Sequence, residues 1–217
     1  ERNRLRANVE VIDELLNVVA SSVGSLSNPS RLSNTFQSVK GLKIKNETIS
    51  SYLDCFIDAY ILSKSYRYDI KGRSYIDTPL KYYFTDVGLR NARLNFRQQE
   101  ENHIMENILY NELIARDFNI DVGVVEYNHV DENGKKVRTQ LEVDFVVNKT
   151  DKRYYIQSAL TVANEEKRKQ ETNSLNRIDD SYTKIVVVRD NILPWIDEKG
   201  VQYINIEDFL LERINLL

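Results

Sequence analysis

The stretch LEVDFVVNKTDKRYYIQSAL, residues 141–160, limits what this chain can fold into more than any other part of it. Two apolar-rich runs flank NKTDK, a polar segment suited to a turn, so they read as paired strands. Side chains alternate across a strand. In the first run Leu141, Val143, Phe145 and Val147 are expected to share the core face, with Glu142 and Asp144 pointing the other way. In the second run Tyr155, Gln157 and Ala159 share one face, and Tyr154, Ile156, Ser158 and Leu160 the other. A short hairpin then sets Asp144 beside Gln157.

The flanking sequence supplies the rest of a mixed sheet. A helix starting near Glu100 turns Ile104, Met105, Ile108, Leu109 and Leu113 towards a core. DFNIDVGVVEYNHV reads as a strand and DENGKK as a polar turn. NEEKRKQETNSLNRI reads as a charged helix, KIVVVRD as a buried strand, VQYINI as an edge or terminal strand, and EDFLLERINLL as a closing helix. That order predicts a mixed sheet with helices packed against it.

The first third is helical in pattern. A helix from Leu5 to Ser22 is dense in apolar residues, and Pro29 is a plausible early position for a short helix over 31–39. Over 47–62, Ile49, Leu53, Phe56, Ile57 and Tyr60 recur at helical spacing, with Asn46 as a candidate N-cap. SYRYDIKGRSYI then reads as a hairpin turning at Lys71-Gly72-Arg73, and KYYFT as a further strand. Helices followed by a hairpin is the order of a winged helix-turn-helix. The expected class is α+β, with one domain over residues 1–98 and a second over 99–217.

Charge divides the same way. Residues 1–98 hold 15 Lys+Arg against 10 Asp+Glu, and residues 99–217 hold 15 against 23, which suggests two units with different surfaces. The overall charge of -3 gives no global case for nucleic-acid binding. A single cysteine, Cys55, excludes an internal disulfide. No run approaches the ~18 apolar residues of a membrane span, and the N-terminal residues lack a signal-peptide core, so the cytoplasm is the expected compartment. The absence of an initiator Met fits a piece of a longer protein.

Metal-dependent phosphodiester cleavage needs carboxylates to hold Mg²⁺ or Mn²⁺, and a positive group to place water or offset charge. Glu106 and Asp144 are candidate oxygen ligands, with Gln157 a weaker, uncharged third. Ala159 supplies nothing. The competing reading leaves Glu142 and Asp144 as solvent-facing strand residues and Glu106 as a surface helix residue. His103 and His129 are too few for a zinc cluster without cysteine partners.

Four blocks in order carry a resemblance: KYYFTDVGLRNARL, ENHIMENILYNELIARDFNI, LEVDFVV with RYYIQSAL, and YTKIVVVRD with GVQYINIEDFLL. Together they resemble the C-terminal region of bacterial and archaeal ATP-binding proteins that carry an AAA-type ATPase at the N-terminus. The resemblance implies a winged helix-turn-helix followed by a PD-(D/E)xK, restriction-endonuclease-like domain. It also implies an N-terminal ATPase domain as partner, with ATP bound there, since these residues contain no GxxxxGK[ST] phosphate loop. By motif, Glu106 corresponds to the helix acid, Asp144 to the central aspartate, and Gln157-Ser158-Ala159 to the E-x-K element. The lysine of that element is missing. Lys152, Lys167 and Lys169 are candidates for a migrated replacement. The expectation is a retained nuclease fold without efficient catalysis, serving as a regulatory or interaction region. The alternative is a divalent-metal-dependent DNA endonuclease with an altered E-x-K element.

A winged helix also makes double-stranded DNA a candidate partner. Thr48, Ser50 and Ser51 lie near the start of the expected recognition helix, Lys43 and Lys45 precede it, and Lys71 and Arg73 sit at the wing tip. Asp54 and Asp58 on the same helix oppose a DNA backbone. Self-association is left open.

Overall fold

The computed structural model describes residues 8–97, 100–132 and 134–213. It is a mixed α+β fold, with a helical N-terminal region and a multi-strand sheet. By contact the chain forms two compact units: Glu1–Ser65 with Thr78–Asn107, and Tyr66–Asp77 with Ile108–Leu217. The expected junction between residues 98 and 99 lies outside the described residues.

In the first unit, α1 (Val9–Ser21) buries Leu15, Leu16, Val19 and Ala20. Its N-cap, Asn8, accepts hydrogen bonds from the Glu10 and Val11 N–H groups. The start expected at Leu5 falls on residues outside those described. α2 (Pro29–Lys40) begins with proline after the capping Asn28, and it ends at Gly41 with a φ of 68°. That left-handed stop favours glycine. α3 (Asn46–Asp58) buries Ile49, Tyr52, Leu53 and Phe56. Asn46, expected as its cap, is its first helical residue. Lys45 stands at the N-cap without a side-chain bond, and Asn46 Nδ2 instead donates to Ser30 Oγ at 2.9 Å.

β1 (Leu62–Asp69) and β2 (Ser74–Phe84) flank the turn foreseen at Lys71-Gly72-Arg73. KYYFT is not a separate strand: β2 runs unbroken through it. Pro79 is tolerated because β2 is outermost in the strand order, where a missing N–H breaks no ladder between central strands. The turn is fixed by Asp69, whose Oδ1 accepts from Lys71 N–H at 3.1 Å and Gly72 N–H at 2.9 Å. A Cβ on Gly72 would sit 2.5 Å from the same carboxylate, so a larger residue there would displace the Asp69 side chain that pins the turn. α4 (Val87–Arg93) follows, capped by Asp86, and then α5 (Glu101–Ala115).

The second unit is built on β3 (Asn119–Val130), β4 (Lys136–Lys149), β5 (Lys152–Ala159), β6 (Thr183–Val188), β7 (Trp195–Ile196) and β8 (Val201–Asn205). The strand order is β2-β1-β3-β4-β5-β6-β8-β7. β3, β4 and β5 pair antiparallel, whereas β6 runs parallel to both β5 and β8. The expected charged helix stops early: α6 covers Glu165–Glu171, and a single 3-10 turn, Leu175–Arg177, follows. Thr172 and Ser174 in the gap are buried together with Leu175, so this part of the segment packs inward instead of continuing as a solvated helix. α7 (Ile206–Leu210) is the last helix among the described residues; it ends at the C-cap Leu211, shorter than the expected helix over 207–217, of which residues 214–217 lie outside those described.

One apolar cluster fills a face of this sheet, with Ile70, Val143, Val146, Tyr155, Ala159 and Val186 among its members. Val143 and Val146 are three apart, so strict alternation has failed in β4. The cause is a bulge. Asp121 pairs with Val146 and Gly123 with Val143, so β4 uses one more residue than β3 over that interval. Phe145 consequently faces α5, where its ring meets Tyr110 at 6.5 Å, and it does not share a face with Val143 as expected.

Candidate functional site

Asp144 lies inside the bulge and is buried, only 7% exposed, so it is not a solvent-facing strand residue. The β4–β5 ladder ends at Phe145 opposite Ile156, immediately before Asp144 and Gln157. Side chains take over there. Asp144 Oδ2 accepts the Ser158 N–H at 2.9 Å, and the Asp144 N–H points at Gln157 Oε1 at 3.4 Å. The two residues expected to meet do meet. Their polar atoms complete a ladder that the bulge interrupts, since buried backbone groups must be paired.

Ala159, two residues on, is 4% exposed and belongs to the apolar cluster. Its strand continues in register with β6, opposite Val188. A lysine at this position would place an ammonium group among valines and aromatic rings, which is costly without a buried partner. The three candidate replacement lysines are held elsewhere. Lys152 sits at the far end of β5, paired with Lys149. Lys167 Nζ donates to Gln170 Oε1 at 3.3 Å, and Lys169 Nζ lies 2.6 Å from Glu165.

Glu106 belongs to the first unit and is also buried, at 8% exposure, so it is not a surface helix residue. Its Oε1 accepts from Lys81 Nζ at 2.8 Å and from Tyr83 OH at 2.7 Å. Lys81 is itself 2% exposed. Gly24, with a φ of 71°, backs the carboxylate, and a Cβ there would come within 3.2 Å of Oε1. The carboxylate of Glu106 is thus met by a buried ammonium and a phenol. The β-strand pattern around Lys81 gave no signal that this lysine would be turned inward.

Among the described residues no three His, Cys, Asp or Glu side chains gather into a group able to hold a metal ion. In the second unit the donors are one carboxylate already accepting a backbone N–H, and one neutral amide oxygen directed at another. Hard divalent cations favour several oxygen ligands, carboxylates foremost. This donor set does not fit Mg²⁺ or Mn²⁺.

The candidate DNA-contacting residues divide between the units. In the first, Lys43, Lys45 and Ser51 are exposed, whereas Thr48 and Ser50 are half-buried. The Ser51 hydroxyl donates to Glu47 O at 2.8 Å. The outward face of α3 carries Glu47, Asp54 and Asp58, all exposed, so it presents acid where a groove-reading helix would present neutral or basic groups. Lys71 and Arg73, both exposed, belong to the second unit. Sequence reasoning passed over Arg153, which half-buries its guanidinium over the rings of Tyr68 at 5.5 Å and Tyr182 at 5.3 Å. Burial acts to lower its pKa, but Tyr155 and Tyr68 outweigh this and raise it. Trp195 forms part of the edge strand β7 and stacks on Tyr203 at 4.1 Å.

A family profile described as "Domain of unknown function (DUF8612)" matches residues 3–100. The chain is also similar to a protein of Haemophilus influenzae described as "Uncharacterized protein", with 31% identity over 202 residues. That match covers 93% of this chain and 46% of the relative, so the chain spans less than half the length of the curated relative it matches. No solved structure gives a significant match. No helix among the described residues is long and apolar enough to cross a membrane.

Proposed function

We propose that this chain is a non-catalytic interaction or regulatory region, combining a winged-helix-like first unit with a nuclease-like second unit. The observation that carries this reading is Ala159. The position where an E-x-K element would present its lysine is packed into the apolar cluster. Asp144 and Gln157 meanwhile serve the strand ladder. The order of three helices and a hairpin supports the winged-helix part of the reading. The greater length of the Haemophilus influenzae relative leaves room for a further domain, for which the resemblance suggests an ATPase as partner.

The test is cleavage. Incubated with supercoiled and linear DNA, the 217-residue chain should produce no more breaks with Mg²⁺ or Mn²⁺ than with chelator. Metal-dependent cleavage that disappears in D144A would overturn the reading and establish an endonuclease.

A further inference from the structure

We propose that the second unit holds a binding site for a nucleoside phosphate, in the cavity between the β1–β2 turn and the loop before β6. The cavity has a volume of about 510 Å³, within the ~300–1,000 Å³ usual for small-molecule sites. Its base is apolar, formed by the buried Ile70 and Ile178. Arg153 lies over the rings of both Tyr68 and Tyr182. It is not a loose surface cation: its Nε also donates to Asn148 Oδ1 at 2.8 Å. Tyr75 meets Tyr68 edge-on at 5.4 Å and remains 63% exposed.

The rim is asymmetric in charge. On one side the turn pinned by Asp69 offers Lys71 and Arg73. On the other, Asp179 and Asp180 are exposed, with Asp180 held by the Tyr155 hydroxyl at 2.6 Å and the Tyr182 N–H at 3.2 Å. The partly exposed rings of Tyr68 and Tyr182 suit a planar base, because stacking does not depend on base identity. Lysine and arginine at one rim suit a phosphate. Carboxylates at the other suit ribose hydroxyls or an exocyclic amine, which donate hydrogen bonds. A nucleoside phosphate carries all three kinds of group. This site stands apart from the proposed lack of catalysis and from any duplex contact through Lys43 and Lys45.

Calorimetric titration of the 217-residue chain with adenosine 5′-monophosphate, adenosine and inorganic phosphate tests the proposal. The monophosphate should bind at least about tenfold more tightly than either part, as charge-assisted contacts to its phosphate predict. K71Q/R73Q, two exposed changes that leave the packed residues intact, should weaken binding about tenfold. R153Q should do the same, while K43Q/K45Q should leave it unchanged. A labelled oligothymidylate distinguishes the ligand's source. Competition with the monophosphate identifies the end of a single strand, and monophosphate binding without competition identifies a free nucleotide; either supports the site. No monophosphate binding by the folded wild-type chain, or equal binding by K71Q/R73Q, overturns it. DNA cleavage in the separate metal assay would overturn the proposed function and leave this site standing.

Discussion

At the level of single residues, burial decides what the polar groups can do. Asp121, next to the bulge, is 8% exposed, and its carboxylate accepts from Tyr75 OH at 3.2 Å. Burial raises its pKa above the ordinary 3.8, against the opposing influence of the Tyr75 hydrogen bond and the Arg153 charge. An acid whose folded value exceeds its unfolded value contributes fully below the unfolded value and loses that contribution as pH rises through the folded one. In D121N the side-chain amide keeps an acceptor for Tyr75 and carries no charge. Denaturant midpoints should therefore show D121N gaining on wild type as pH rises above about 4. A gap that stays constant, or narrows with rising pH, would show that Asp121 is held charged. The same scale explains what was legible at the candidate site. That Asp144 meets Gln157 followed from the hairpin. That Glu106 meets Lys81 and Tyr83 did not, because the partners lie 25 and 23 residues away and share no local pattern.

At the level of elements, sequence periodicity located the strands well and the faces less well. β3, β4, β5, β6 and β8 lie where the apolar runs placed them. Period-two reasoning then assigned Val143 and Phe145 to one face, and one extra residue in β4 was enough to separate them. A bulge changes no residue type, so alternation cannot reveal it. The signal lay on the partner strand. A Cβ at Gly123 would lie 2.9 Å from each of Ile70 Cδ1, Val143 Cβ and Val146 Cγ2, so the bulge closes only over a glycine. G123A should destabilise the chain by about 1–3 kcal/mol, the usual cost of overfilling a packed core. Its denaturant midpoint should fall while the far-ultraviolet circular dichroism of the native state is retained. A midpoint equal to wild type would mean that the strands separate there without cost. β7 was missed for a different reason: two residues are too few to show any period, and its place is set by Trp195 stacking on Tyr203.

For the whole molecule, charge is the property that links sequence to a partner. The net of -3 conceals an excess of base over acid in residues 1–98, yet the exposed face of α3 is acidic. Of the candidate duplex contacts in the first unit, the exposed basic residues are Lys43 and Lys45, which precede that helix. Phosphate contacts release counterions, so the logarithm of the binding constant falls by about 0.9 for each contact per tenfold rise in salt. Two such lysines predict a slope of about -1.8, far shallower than that of a dedicated duplex reader. Fluorescence anisotropy with a labelled duplex, titrated at several salt concentrations, measures it directly. K43Q/K45Q should bring that share of the slope close to zero. A steep slope that survives the double substitution would place the duplex elsewhere on the molecule. Absence of binding even at low salt, with the chain folded, would restrict the first unit to contacts with protein.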